Sequence, residues 1–465
     1  MTMRRTIRRR VMGTQTVTIG AVAPARSFGS GATRVLIGFG LVLALGTGLL
    51  MTPWAAEQGR STSFVDALFT AVSAICVTGH TVVETQTHWS FFGEAVILAL
   101  IQIGGLGYML GASIVFWALG RRLGLRDRHF LRLYYGAPSM GETVSFARNV
   151  ALFAFSFELA GAVLLWLIFV GDGLAASTSL WWSIFHSISA FNNAGFNVTG
   201  NDLLDYSANV PMLMTITVLV VAGGLGAIPV TTVIGRRRWH RLPIDHRLIF
   251  ITTGAILLVG TVVISIFEWT NSDSIGSVTV WKRPVLALFE AAMGRTAGFS
   301  AVDVADMHDE TKFFYVGIMF IGGAAGSTAG GIKVGTFALL LVAILAAVGG
   351  REEVTLFRRR IPRAVVQQAL TIALLGVAFA FAYVFFVALT VDRPFIDIMF
   401  DTVSALGTVG ASTGVVATMD SVAGKLLVIS AMLVGRFGPL LLVLHMTRPR
   451  KKSTIRLPED SIRLG

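Results

Sequence analysis

The chain has 465 residues, 54% hydrophobic and 14% charged, with a formal net charge of +12. Soluble domains carry about 25% charged residues, so an ordinary globular protein is excluded and a polytopic membrane protein is predicted. The single cysteine, Cys76, excludes intrachain disulfides and cysteine-based metal clusters, and it reads as a small packing residue.

Residues 1–32 hold Arg4, Arg5, Arg8, Arg9, Arg10 and Arg26 and no acid. The apolar run behind them starts only near Val35 and reaches Met51, long enough to span, so the segment is predicted to be a cytoplasmic tail and not a cleaved signal. Next comes FVDALFTAVSAICVTG at 64–79, apolar but short of the about 20 residues a span needs, and ending in glycine. It predicts a short re-entrant helix. The pattern returns as WWSIFHSISAFNNAG at 181–195, RPVLALFEAAMGRTAG at 283–298 and FIDIMFDTVSALGTVG at 395–410. Such internal repetition predicts an all-α polytopic membrane protein of four tandem M1–pore loop–M2 repeats around a pseudo-fourfold pore. The repeats cover 33–120, 148–235, 247–349 and 362–447, between tails 1–32 and 448–465.

The charges fit this layout. Basic runs lie between and after the repeats, at 121–132, 236–247, 351–363 and 448–456. The segments inside repeats, around Glu84, Asp172, Asp202, Asp205, Asp303, Asp306, Asp392 and Asp420, are acidic or neutral. The positive-inside rule then places both termini and every inter-repeat loop in the cytoplasm and opens all four re-entrant loops to the outside. The basic balance is topological: the expected partner is membrane lipid, and no nucleic acid is implied. Repeats of one orientation can close around an axis along the membrane normal.

Non-helical backbone at membrane depth is tolerated only where it is buried or lines a watery path. The four loop ends are Val77, Thr78 and Gly79; Asn193, Ala194 and Gly195; Thr296, Ala297 and Gly298; Thr408, Val409 and Gly410. Converging on one axis, they would present carbonyl oxygens to a dehydrated monovalent cation. Helix capping is the commoner use of such a glycine, but it does not account for four in register, each between two spans. The short helices would aim their negative C-terminal ends at the pore, with Asp303 and Asp401 enriching cations at its mouth.

In the second spans, the glycines at 103–107 and 222–226 read as close helix packing. Repeat C departs: Gly322, Gly323, Gly326, Gly330 and Gly331 surround Ser327 and Thr328, and Lys333 follows. A helix does not run comfortably through five glycines at about 1 kcal/mol each. A broken helix is predicted, its flexible loop lying below the filter as a gate; no Gly-Lys-[Ser/Thr] marks a phosphate loop. Arg436 lies inside an apolar run, where a charge costs at least about 2.5 kcal/mol, so it reads as a functional cation facing the interior. For Lys333, gating and structural roles stay open. His186 lies on a re-entrant helix with no partner at ligand spacing and reads as packing. With no intramembrane carboxylate pair, His cluster or Ser/Lys pair, no catalytic residue is expected.

Five strings carry a resemblance: VTGHTVVETQTHWSFFGEAVILALIQIGGLGYM, HSISAFNNAGFN, GRTAGF, FIGGAAGSTAGGIK, and GTVGASTG followed by GRFGPL. Together, over about 34–446, they resemble the Trk/Ktr/HKT superfamily of potassium transporters, with the KtrB membrane-subunit branch nearest. The resemblance implies that Gly79, Gly195, Gly298 and Gly410 are the filter glycines, a potassium-selective set; sodium-selective plant relatives carry serine in the first. It maps an intramembrane gating loop onto 322–331 and the family's arginine onto Arg436. It further implies potassium as the transported ion, sodium as activator, no covalently bound cofactor, and a bacterial inner-membrane homodimer with one pore per protomer. The dimer would sit on a KtrA-like cytosolic ring of nucleotide-binding regulatory subunits, a separate chain because nothing here resembles a nucleotide-binding domain. A sodium-permeable channel of the same architecture is disfavoured by the four glycines, and a membrane-embedded enzyme by the missing catalytic groups.

Overall fold

The computed structural model describes residues 29–109, 143–236 and 239–446. The basic runs at 121–132 and 448–456, most of both tails and the end of the second span of repeat A lie outside these residues.

Helices dominate. In chain order they are α1 (Gly29–Leu50), α2 (Phe64–Cys76), α3 (Phe91–Met109), α4 (Thr143–Gly171), α5 (Ala176–Phe191), α6 (Val210–Leu225), α7 (Ala227–Arg236) and α8 (Ile244–Glu268). They continue with α9 (Arg283–Met293), α10 (Asp309–Met319), α11 (Val334–Val348), α12 (Arg363–Ala388), α13 (Phe395–Gly407) and α14 (Val422–Met446). The strands β1 (Thr355–Leu356) and β2 (Arg359–Arg360) make one small antiparallel hairpin before α12.

Among the described residues three helices are long and apolar enough to cross a membrane: Ala147–Gly171 within α4, α8 and α12. The pair α6 and α7 reaches that length only together, bent by 94°. The second span expected in repeat B is therefore broken near its middle. Gly226 takes φ +77, a left-handed value that ends α6, and a Cβ on it would stand 3.3 Å from the Gly326 carbonyl oxygen. The chain turns there because another loop occupies the place where the helix would continue.

The four short helices α2, α5, α9 and α13 form the buried centre. Three of them start with a stop to the preceding chain: the Ser63 hydroxyl accepts from the Asp66 N–H at 3.2 Å, Pro284 sits in the first turn of α9, and Pro394 precedes α13. All four bury phenylalanine completely: Phe69 on α2, Phe185 and Phe191 on α5, Phe289 on α9 and Phe400 on α13. Truncating such a residue costs about 3–5 kcal/mol. Cys76 is likewise buried among apolar neighbours. By contrast, only 11% of the apolar window of α12 is buried, and Leu374, Val377 and Phe381 point outward. An apolar face of that kind suits lipid, not water.

Polar contacts tie each short helix to the start of a helix from the neighbouring repeat. Lys425 on α14 pairs with Asp66 on α2 at 2.7 Å, and Lys312 on α10 pairs with Asp397 on α13 at 3.1 Å. The Trp181 indole N–H on α5 donates to Glu94 on α3 at 2.6 Å, and the Lys282 ammonium before α9 donates to the Ala208 carbonyl at 2.8 Å. Together they link A to B, B to C, C to D and D back to A. A hydrogen bond to a charged partner contributes about 1.5–3 kcal/mol. Lys425→Met should therefore lower the melting temperature of the detergent-solubilised protein by several degrees; an unchanged melt would mean that the half-buried pair contributes nothing to closure.

Candidate functional site

The C-terminal ends of the four short helices lead into segments of matching backbone. Val77, Asn193, Thr296 and Thr408 adopt left-handed φ of 58, 58, 71 and 51. Two residues on, Gly79, Gly195, Gly298 and Gly410 are left-handed again, at φ 97, 69, 72 and 96. A left-handed conformation is uncommon for non-glycine residues and rarer for a β-branched one such as Val77. Its recurrence at corresponding positions is a feature of the site, and it turns the chain sharply off each helix.

The glycines face one another in order. A Cβ at Gly79 would stand 2.5 Å from the Ala194 oxygen, and one at Gly195 would stand 2.7 Å from the Ala297 oxygen. A Cβ at Gly298 would run into the Val409 oxygen, and one at Gly410 into the Thr78 oxygen. Each segment thus abuts the next and the fourth abuts the first, so the twelve residues form a closed ring of backbone. In three of them serine Oγ atoms hold the turn: Ser73 accepts from the Gly79 N–H and Ser404 from the Gly410 N–H, both at 3.1 Å, while Ser189 donates to the Phe196 carbonyl at 2.7 Å. Segment C has Ala292 at that position and closes by Ala297 and Gly298 N–H bonds to Met293 at 3.0 and 3.2 Å. The Thr78, Thr296 and Thr408 hydroxyls are buried and have no hydrogen-bond partner among the described residues.

On one side of the ring all four glycines line a cavity of about 490 Å³. Glu84, Asp202 and Asp303 line it as well, and among the described residues no lysine or arginine does. Desolvation pushes the Asp202 carboxyl well above the usual carboxylate range and Glu290 adds to the rise, against the pull of the Ser300 N–H that donates to it at 2.8 Å. Asp401, expected at the mouth, is instead buried at 1% exposure. Its carboxylate accepts from the Ser412 and Thr413 hydroxyls and from the Thr413 and Val416 N–H groups, at 2.7–3.0 Å. These four bonds use up its acceptors, so it braces the loop after Gly410.

On the other side lies the glycine-rich break between α10 and α11. It was expected as a flexible loop, but backbone bonds lace it: Gly322 N–H to the Ile332 oxygen at 2.8 Å, Ala324 N–H to Gly224 at 2.9 Å, and Val334 N–H to Gly323 at 2.9 Å. Small residues permit the contact. A Cβ at Gly322 would strike the Gly330 oxygen, one at Gly323 would stand 2.5 Å from the Gly224 oxygen, and one at Gly330 would strike the Thr408 hydroxyl. The Thr328 hydroxyl lies 2.8 Å from Asn193 Oδ1, joining the break directly to segment B. Ser327 turns its hydroxyl back to the Ala324 oxygen at 2.7 Å, and Gly326 and Gly331 are left-handed at φ 73 and 61.

Three cations hold the carbonyls of this break. Arg436 donates to the Thr328 oxygen at 2.6 Å and to Gly104 at 3.4 Å, and Lys333 donates to Ala329 at 2.6 Å and Gly330 at 3.5 Å. Arg295, at 7% exposure, reaches the Gly322 oxygen at 3.4 Å. Sequence reasoning missed Arg295, although the rule that singled out Arg436, a charge within an apolar stretch, applies to it equally. It also missed Glu158 on α4, which accepts from Gln102 at 3.0 Å and from Asn192, the neighbour of Asn193, at 3.2 Å. His186 is packed between Phe169, Phe185 and Phe299, with Nδ1 2.7 Å from the Trp182 oxygen.

Gly104 and Gly223 pack closely, as expected of the second helices, and Gly435 does the same in repeat D. Gly104, Gly223 and Gly435 each lie against the carbonyl of the residue four before a ring glycine: Ile75, Phe191 and Leu406. Overpacking costs about 1–3 kcal/mol. Gly435→Ala should cut the yield of monodisperse protein and lower its melting temperature, and a wild-type melt would show that α13 and α14 can separate without loss.

The sequence matches the TrkH family of cation transport proteins over residues 35–454. It is 35% identical over 431 residues to the Ktr system potassium uptake protein B of Bacillus subtilis, covering 92% of this chain and 95% of the relative. It is 32% identical to the potassium/sodium uptake protein NtpJ of Enterococcus hirae, covering 93% and 96%. The crystal structure of the potassium transporter TrkH from Vibrio parahaemolyticus superposes with a TM-score of 0.71 at 20% identity, over 92% of this chain and 86% of that one, which establishes likeness of fold.

Proposed function

Because the chain belongs to the TrkH family of cation transport proteins, we propose that this multi-pass membrane protein takes up potassium through the backbone ring formed by the segments ending in Gly79, Gly195, Gly298 and Gly410. In this reading the ring is a selectivity filter. Carbonyls of Val77, Thr78, Asn193, Ala194, Thr296, Ala297, Thr408 and Val409 replace the hydration shell of the ion. The observation that carries it is the closed sequence of glycine-to-carbonyl contacts around four left-handed segments. Two further features support it. The C-terminal ends of four helices lead to the ring, and their partial negative charge favours a cation. Three buried threonine hydroxyls have no partner among the described residues, and an unsatisfied buried hydroxyl costs about 1–3 kcal/mol unless an ion or its water supplies the bond.

The break at 322–331 serves as the gate below the filter, and Arg436, Lys333 and Arg295 are the cations that hold it shut. Repeats 33–120, 148–235, 247–349 and 362–447 then surround one pathway, with the cavity edged by Glu84, Asp202 and Asp303 outside and both termini in the cytoplasm of a bacterial cell. The arrangement of the inter-repeat loops agrees: the Arg247 guanidinium lies over the Phe357 ring at 5.6 Å, which gathers the basic segments on either side of repeat C at one end. A homodimer on a KtrA-like regulatory ring, activated by sodium, completes the proposal.

Growth of a strain without its own potassium uptake systems tests the function. The wild-type chain with a cognate regulatory ring should restore growth at low potassium, and no rescue would remove potassium uptake from the reading. A sodium-permeable path of the same build is the second possibility, favoured by the potassium/sodium relative at 32% identity. Sodium uptake matching potassium uptake in the same cells would select it.

A further inference from the structure

A second cavity, of about 360 Å³, lies beside the break, between α10, α12, α13 and α14, and contains none of the twelve ring residues. Its walls are Phe320 and Ile332 at the ends of the break, Leu406 and Gly407 at the end of α13, Val434, Gly435 and Gly438 on α14, and residues of α12; every lining residue is apolar or glycine. Its size falls in the range of about 300–1,000 Å³ typical of ligand pockets. Water needs two to four polar partners to be held in a cavity, and these walls offer none from side chains.

We propose that the acyl chain of a membrane lipid enters this cavity from the side and lies against the break. Two observations name the occupant. Leu375 and Phe379 line the cavity and are also 37% and 44% exposed on the outward face of α12, so the cavity is continuous with the bilayer-facing surface. The other edge of the exposed arc of α12 is apolar too, with Leu370, Leu374, Val377 and Phe381 all exposed, so both flanks of the helix meet hydrocarbon and the cavity opens at one of them. A chain entering past Leu375 and Phe379 reaches Ile332 and Gly331, where the break rejoins α11. Binding follows from the shape and chemistry of the cavity alone, whereas any bearing on flux rests on the gate reading above.

The test uses full-length protein in vesicles of phosphatidylethanolamine and phosphatidylglycerol doped with a phosphatidylglycerol whose acyl chain carries a diazirine. After illumination, adduct sites are mapped by mass spectrometry. Adducts are expected on the inner wall, at Leu406, Val434 and Ile332, as well as on outward Leu374 and Phe381. Gly438→Leu fills the cavity with little strain, because a Cβ there meets only Val434 Cγ1, at 3.5 Å. It should reduce inner-wall adducts at least tenfold and leave those at Leu374 and Phe381 unchanged. If Gly438→Leu does not give a monodisperse protein, Phe379→Trp at the rim is read in the same way. Adducts confined to the outward residues, or inner-wall adducts that persist in the filled variant, overturn the proposal. The former would mean that a second copy or the chain's own C-terminal residues cover the entrance. The readout is adduct position and not flux, so it can fail while the gate reading stands, or succeed while the gate reading fails.

Discussion

Replacing Gly79 by serine is expected to destroy the preference for potassium. The residue sits at φ +97, where an L side chain costs about 1–2 kcal/mol, and its Cβ would stand 2.5 Å from the Ala194 carbonyl oxygen, itself a proposed ligand. The strain cannot be relieved by a rotamer, because the obstacle is backbone. Segment A or segment B must move, and through the ring of contacts the displacement reaches segments C and D. A filter selects between ions by the field and spacing of its carbonyls, so a shift of a few tenths of an ångström acts on selectivity before it acts on passage. About 1.4 kcal/mol of discrimination is tenfold. The mutant should therefore lose at least roughly tenfold in potassium-over-sodium uptake, read as isotope or rubidium influx against sodium influx in the same cells. Unaltered selectivity in a well-expressed mutant would take the ring out of the ion path.

Much of this arrangement is legible in the sequence, for a physical reason. A largely apolar helix too short to span and followed by a glycine has few places to go except the centre of a membrane protein. Accordingly α2, α9 and α13 begin at the predicted residues, Phe64, Arg283 and Phe395. Helix α5 begins earlier, at Ala176, because its first turn is the polar run ASTS, which hydropathy does not recognise as helix. The glycine-rich break was legible from composition, since five glycines are a poor helix; the bonds that lace it were not, because two of them run to Gly223 and Gly224 in another repeat. The bend at Gly226 is of the same kind. Gly223 packs against Phe191 and Gly226 turns the chain, and nothing local in AGGLG says which glycine does which. Asp401 was misplaced because proximity to the filter in sequence was read as proximity to the mouth, whereas the loop after Gly410 folds back over its carboxylate. The left-handed Val77 and Thr408 run against local preference altogether and persist because ring closure demands them.

Neutralising Arg436 should raise potassium flux. Its guanidinium holds the Thr328 carbonyl at 2.6 Å, and the Thr328 hydroxyl in turn lies 2.8 Å from Asn193 Oδ1, so one cation connects α14, the break and segment B. Arg436→Gln removes two obstacles together: the bond that fixes the break, and a positive charge near the proposed path of a cation. Lowering a barrier by about 1.4 kcal/mol speeds passage tenfold, and a rise of roughly that size is expected in vesicle flux measured without the regulatory ring. Arg436→Lys separates the two causes. It keeps the charge but loses the planar fork that reaches both Thr328 and Gly104. Flux near wild type in the lysine variant would identify charge as the barrier, and flux as high as in the glutamine variant would identify the anchoring of the break. Shortening 322–331 should raise flux by removing the gate itself, and a folded deletion with unchanged or lower flux would sink the gate reading. Should Arg436→Gln also fail to exceed wild type while remaining folded, the arginine is structural: a buried cation satisfied by the Thr328 and Gly104 carbonyls, with no hand on the ion.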